Sequence, residues 1–203
     1  MAVITNYASL QQAVADYLAR DDLTTFLPNF VENAERKLYR TLNLRNEETA
    51  LSVAISSGVA AVPSDFKALK FAYYDASPVQ LLQWIPIEEL YRDYPDRSVT
   101  SGYPQVISRE GSNFVFGEVA ESGTLKGIYY AKQDLLQDTD PSWYVTNAPE
   151  VLLYGSLLEA APFIHDDARL PVWRELYQEG VASLARENEN AEVSYGQLVQ
   201  RVS

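Results

Sequence analysis

The sequence predicts an α+β protein: a helical bundle from both chain ends with an inserted small antiparallel β region. Three observations lead there. Apolar residues recur at helical spacing near both ends of the chain. Between them the period drops to two, with short turn-rich connections that suit antiparallel pairing better than a doubly wound sheet. The chain has 203 residues, of which 47% are hydrophobic and 22% charged. A chain of this size buries roughly 70% of its unfolded surface, so it needs no disulfide or metal to fold. The expected division is a discontinuous helical body over 1–46 and 148–190, an inserted β-rich region over 47–147, and an extended C-terminal tail over 191–203.

Each element has its own signal. Ser9 followed by Gln12 reads as a capping box, and Leu10, Val14, Tyr17 and Leu18 carry the first helix to about Arg20. Asp21-Asp22 breaks it. Pro28 suits the first turn of a second helix, whose stripe is Phe30, Val31, Ala34, Leu38 and Leu42. Thr49, Leu51, Val53 and Ile55 then alternate as a strand, closed by a turn at Ser56-Ser57-Gly58. Strands are expected over Lys67 to Asp75 and Val79 to Ile85, with a short helix over Ile87 to Tyr94. Val106 to Arg109 and Asn113 to Phe116 form a hairpin, and Thr124 to Lys132 a further strand. Gln133 to Thr146 reads as a polar loop holding Asp138, Asp140 and Trp143. After Pro149, Val151 to Phe163 reads as a mostly buried helix. Asp167 caps a last one, lined by Trp173, Leu176, Tyr177, Gly180, Val181 and Leu184.

Charge and composition exclude several function classes. The net charge is -12, with 16 Lys and Arg against 28 Asp and Glu. Nucleic-acid affinity draws on cations that displace condensed counterions, so tight DNA or RNA binding is not expected, nor is binding to anionic membranes. There is no cysteine and a single histidine, His165, which removes thiolate chemistry and multi-histidine metal sites. Met1 to Leu10 has no secretory pattern, and no stretch approaches 18 apolar residues, so a soluble protein is expected.

The residues offer little catalysis. No glycine loop follows a strand, and there is no His-Glu-x-x-His pattern or nucleophile elbow. His165-Asp166-Asp167 can be a cation site or a helix break with a cap, and the break explains it more simply. Asp138 with Asp140, or Glu88 with Glu89, are formal glycosidase pairs, but 28 acids make such spacings common. The doublets Tyr73-Tyr74 and Tyr129-Tyr130 put one ring inward and one outward on a strand. The outward rings are either plain surface or contacts with another subunit. Val193, Tyr195, Leu198 and Val199 give a polar tail four apolar residues, either a mobile end or a docking segment.

A run of residues spread over the chain carries a resemblance. It includes Tyr7-Ala8-Ser9-Leu10, Asp21-Asp22-Leu23, Leu27-Pro28-Asn29-Phe30-Val31, Ala34-Glu35, Leu38 and Arg40, then Val62-Pro63-Ser64-Asp65-Phe66. Towards the C-terminus it continues with Tyr130-Ala131, Trp143, Ala148-Pro149, Leu152-Leu153-Tyr154-Gly155, Leu158-Glu159-Ala160-Ala161, Asp166-Asp167 and Trp173. In this order and spacing the chain resembles the head-to-tail adaptor (connector) proteins of tailed bacteriophages, and is similar to the upper tail-tube ring protein of short-tailed phages. Residues from about 76 to 128 match least.

The resemblance implies a non-enzymatic structural virion protein without cofactors. It implies a ring of twelve copies in the virion neck, between the portal protein and a tail nozzle or stopper protein, assembled in the host cytoplasm. The helical part would form the ring body, the tail with Val193, Tyr195, Leu198 and Val199 would dock on the portal, and DNA would pass through without specific binding. Twelve copies at -12 bring roughly -144 charges before screening. The expectation is an acidic lumen and a free protein that stays monomeric. Alternatives are another neck component (stopper or tail-completion protein), a tail-associated peptidoglycan-cleaving enzyme, or an acidic DNA mimic.

Overall fold

The computed structural model describes residues 3–20, 22–96, 103–118, 122–132, 142–164 and 167–193. In chain order the elements are α1 (Tyr7–Leu18), α2 (Leu27–Thr41), β1 (Glu48–Ser56), β2 (Val59–Ala61), β3 (Phe66–Tyr74), β4 (Gln80–Trp84), α3 (Ile87–Asp93), β5 (Val106–Glu110), β6 (Asn113–Phe116), β7 (Ser122–Ala131), α4 (Trp143–Asn147), α5 (Pro149–Glu159) and α6 (Leu170–Val193). Two units separate: Met1–Asn46 with Asp134–Ser203, and Glu47–Gln133.

The first unit is helical. Asn6 caps α1 by accepting the Ser9 amide, while the Ser9 hydroxyl accepts the Asn6 amide at 3.0 Å. The reciprocal box thus lies one turn before the expected Ser9–Gln12 pair, because Asn6 is as good a cap and brings Tyr7 onto the buried face. Pro28 lies in the first turn of α2, where a missing amide proton costs nothing. Phe30, Val31, Ala34 and Leu38 form its buried stripe. Between Glu150 and Glu159 at its ends, helix α5 is apolar on nearly every side, as suits a helix enclosed by neighbours. It packs against α1, α2, α4 and α6. Its one buried hydroxyl, Ser156, bonds back to the Leu152 carbonyl at 2.7 Å. Two glycines allow close approach: a Cβ on Gly155 would meet Ala34 and Tyr177 at 3.2 and 3.1 Å, and one on Gly180 would meet Val151 at 2.7 Å. Helix α4 replaces part of the expected polar loop. Five residues are too short to show a period, yet they bury Tyr144 and Val145. Helix α6 runs on to Val193, past the expected end near 190.

The second unit overturns the expected fold class. It is a closed seven-stranded barrel in the order β1-β2-β6-β5-β4-β3-β7, not a small antiparallel insertion in a helical bundle. It has its own core, built on Leu51, Ile55, Phe66, Phe114, Phe116, Leu125 and Tyr129. Strand β7 is paired along both edges, with β1 and with β3, and β1 turns through Ser57-Gly58 into β2. Both turn residues have positive φ, 52° and 76°, the primed geometry that matches strand twist. Strand β2 is three residues long and escaped the sequence pattern, although it links β1 to β6 and so closes the barrel. One pair is parallel, β4 with β5, because α3 lies on the path between them. Periodicity reports which face of a strand is buried; it does not report the partner or closure. At Gly127 the walls approach so closely that a Cβ would lie 2.2 Å from the Phe71 carbonyl oxygen.

Candidate functional site

Of the carboxylate pairs considered for catalysis, only Glu88 and Glu89 lie among the described residues. Glu88 and Glu89 sit in the first turn of α3, where Glu89 faces Arg92 at 3.9 Å. Asp138, Asp140, His165 and Asp166 lie outside the described residues. Asp167 accepts the Arg169 amide at 2.9 Å and pairs with its guanidinium at 2.6 Å just before α6, which holds its carboxyl down at about 2. No group of three metal-ligating side chains forms among the described residues. Of two grooves in the helical unit, one holds Glu187 and the other Glu159, which is paired with Lys37.

One buried carboxyl stands out. Glu35 of α2 is fully buried, and the Tyr7 hydroxyl reaches its two oxygens at 3.4 and 3.5 Å. The Ser142 amide donates to the Tyr7 oxygen at 3.2 Å, tying the segment before α4 to α1. Burial pushes the Glu35 carboxyl above the usual range, against the opposing pull of Ser142 and Tyr7. The arrangement joins three segments of the helical unit.

The surfaces are more telling. On the outer wall of the barrel, Phe71 and Tyr73 stack at 6.4 Å, Leu81 lies opposite Tyr73, and Ile128 lies opposite Phe71. Leu81 is 74% exposed and Phe71 42%. Val79, at the start of the same strand pair, is 54% exposed. Tyr129 packs in the barrel core and bonds Asp65 at 3.0 Å, while Tyr130, on the opposite face of β7, is buried as well, with Lys70 over its ring. Tyr74 packs on the core and Tyr73 faces out. Leu81, Val79 and Phe71 were not singled out by sequence. The signal was there: β4 is apolar at both parities, and only one parity can face a core.

The helical unit also exposes apolar surface. Phe26, Phe30 and Phe163 form a ring cluster with centroids 5.2 to 6.4 Å apart, and Phe26 and Phe163 are each about 40% exposed. A groove of about 320 Å³ is lined by Leu44, Trp143, Leu184 and Ala191 with polar neighbours. At its side Asn188 accepts the Arg45 amide at 3.0 Å and donates to the Asn43 carbonyl at 3.2 Å, holding the segment after α2 against α6. Of the expected docking residues, Val193 is the last residue of α6, and Tyr195, Leu198 and Val199 lie outside the described residues.

A family model described as SU10 adaptor protein matches residues 5–201. No curated protein matches the chain.

Proposed function

The chain belongs to the SU10 adaptor protein family, and from this premise we propose that it is a subunit of the ring joining the portal of a phage head to the tail. The observation that carries the reading is the extent of the match, which spans both the helical unit and the barrel. Exposed apolar patches on both units support it, since single large apolar side chains are common on a surface but clusters mark contact sites. In this reading twelve copies form the ring in the virion neck. One side meets the portal and the other a nozzle or stopper. The segment with Val193, Tyr195, Leu198 and Val199 docks on the portal. The role is structural, without catalysis or cofactor. DNA slides through a lumen whose net negative charge repels the phosphates within about 8 Å at physiological salt.

Cryo-electron microscopy of the phage particles tests this. The expected density is a ring of this fold between portal and tail, with acidic side chains dominating the lumen. Absence of the chain from the neck ends the reading. A lumen lined mainly by Lys and Arg ends its electrostatic part.

A further inference from the structure

We propose that neighbouring copies of this chain join through the outer face of α2 on one copy and the outer face of α6 on the next. This rests on the reading that copies of the chain assemble. Both helices pack on α5, meeting it at Gly155, with a groove of about 170 Å³ between them. The faces they turn away from α5 are therefore two different surfaces. An interface between unlike surfaces propagates head to tail and closes into a ring when the rotation permits.

The two faces carry opposite charge. On α2, exposed Asn29, Asn33, Arg36 and Arg40 recur at helical spacing in one stripe. It holds two guanidiniums: Arg36, bridged along the helix to the partly exposed Glu32, and Arg40 in the last turn. On α6 the matching stripe is Glu175, Glu179, Ala182, Arg186 and Glu189, all exposed. It holds three carboxylates and one guanidinium, with a small residue at its middle that lets a facing helix come close. Arg36 and Arg40 are four residues apart, as are Glu175 and Glu179, about 6 Å along each axis. An antiparallel register sets Arg36 on Glu179, Arg40 on Glu175, Asn33 on Ala182 and Asn29 on Arg186. In this register Arg36 is shared between its own Glu32 and the neighbour's Glu179, while Arg40 meets Glu175. Exposed ion pairs contribute little each, so these fix orientation and register more than affinity. A free protein that stays monomeric is consistent with that.

The test uses particles of the parent phage supplied with variant chains in place of its own. Arg36→Glu with Arg40→Glu makes one variant, and Glu175→Arg with Glu179→Arg the other. Each alone is expected to be lost from particles, while the two supplied together are both incorporated, since each restores the other's missing sign. Melting curves of the free variants verify folding. The chain has no cysteine, so an Asn33→Cys/Ala182→Cys variant gives a second readout that keeps the charges. A thiol-specific crosslinker applied to particles is expected to give a ladder of covalent multimers, and neither single variant should do so. Normal incorporation of each charge-reversed variant alone, no recovery on mixing folded variants, or only monomers after crosslinking would overturn the α2–α6 pairing and leave the ring reading intact. A wild-type chain absent from particles overturns both.

Discussion

At the scale of single residues, the most consequential side chain is Glu35. Burial raises its carboxyl above the ordinary range, so the folded chain holds its proton to higher pH than the unfolded chain. Between the two values the folded state binds more protons, and stability falls as pH rises through that window; below it the penalty is absent. Replacing Glu35 with Gln keeps the shape and an acceptor for Tyr7 but removes the ionisation. The melting temperature of Glu35→Gln should therefore gain on wild type as pH rises from about 4 to 8, and parallel curves would refute the assignment. Gly127 makes a second residue-scale case. A methyl group there meets backbone, at 2.2 Å from Phe71 and 2.8 Å from Ala72, and backbone cannot turn aside. Gly127→Ala should destabilise the barrel by about 1–3 kcal/mol in denaturant unfolding, in the range of overpacked cores. An unchanged midpoint would mean the wall relaxes freely.

At the scale of elements, the contact of α5 with α6 depends on Gly180 facing Val151. A glycine inside a helix gives up about 1 kcal/mol relative to alanine. At Gly180 that loss is offset by the close approach, since a Cβ would lie 2.7 Å from a Val151 methyl held stiffly in the core. The sign of Gly180→Ala should therefore depend on its neighbour: destabilising in wild type, but stabilising by about 1 kcal/mol in a Val151→Ala background. A double-mutant cycle measures this, and additivity would disprove the contact. The longer elements were mostly legible in the sequence. α2 has Pro28 in its first turn and ends at Thr41, with Leu42, the last residue of the expected stripe, as its C-cap. β3, the β5–β6 hairpin and β7 fall close to the ranges expected from the sequence. The two misses, β2 and α4, are three and five residues long. Neither is long enough for a period to show, and both form because the tertiary structure supplies the neighbours.

At the scale of the whole molecule, charge and apolar surface pull in opposite directions. The net charge of -12 opposes association, while Phe71, Leu81, Phe26 and Phe163 on the surface favour it. With weak ion pairs between copies, the balance in free protein should favour the monomer, and assembly should require a template. Light scattering of the isolated protein at physiological salt should give the mass of one chain, about 22.8 kDa. A stable ring without the portal would show that the repulsion has been overestimated.

The sequence by itself determined the chemistry and the family. One histidine, no cysteine and scattered carboxylates are facts of composition, and the resemblance to adaptor proteins rests on residues in a fixed order, which the family match over 5–201 then bore out. Only the tertiary structure decided the fold of the middle region and the location of its exposed apolar face. A strand's alternation states which side is buried, but closure depends on long-range pairing between β1, β7 and β3, and on a three-residue strand too short to signal. The outer face was hidden for the same reason. In β4 both parities are apolar, and only the barrel's curvature decides that Leu82 turns inward and Leu81 is left to solvent.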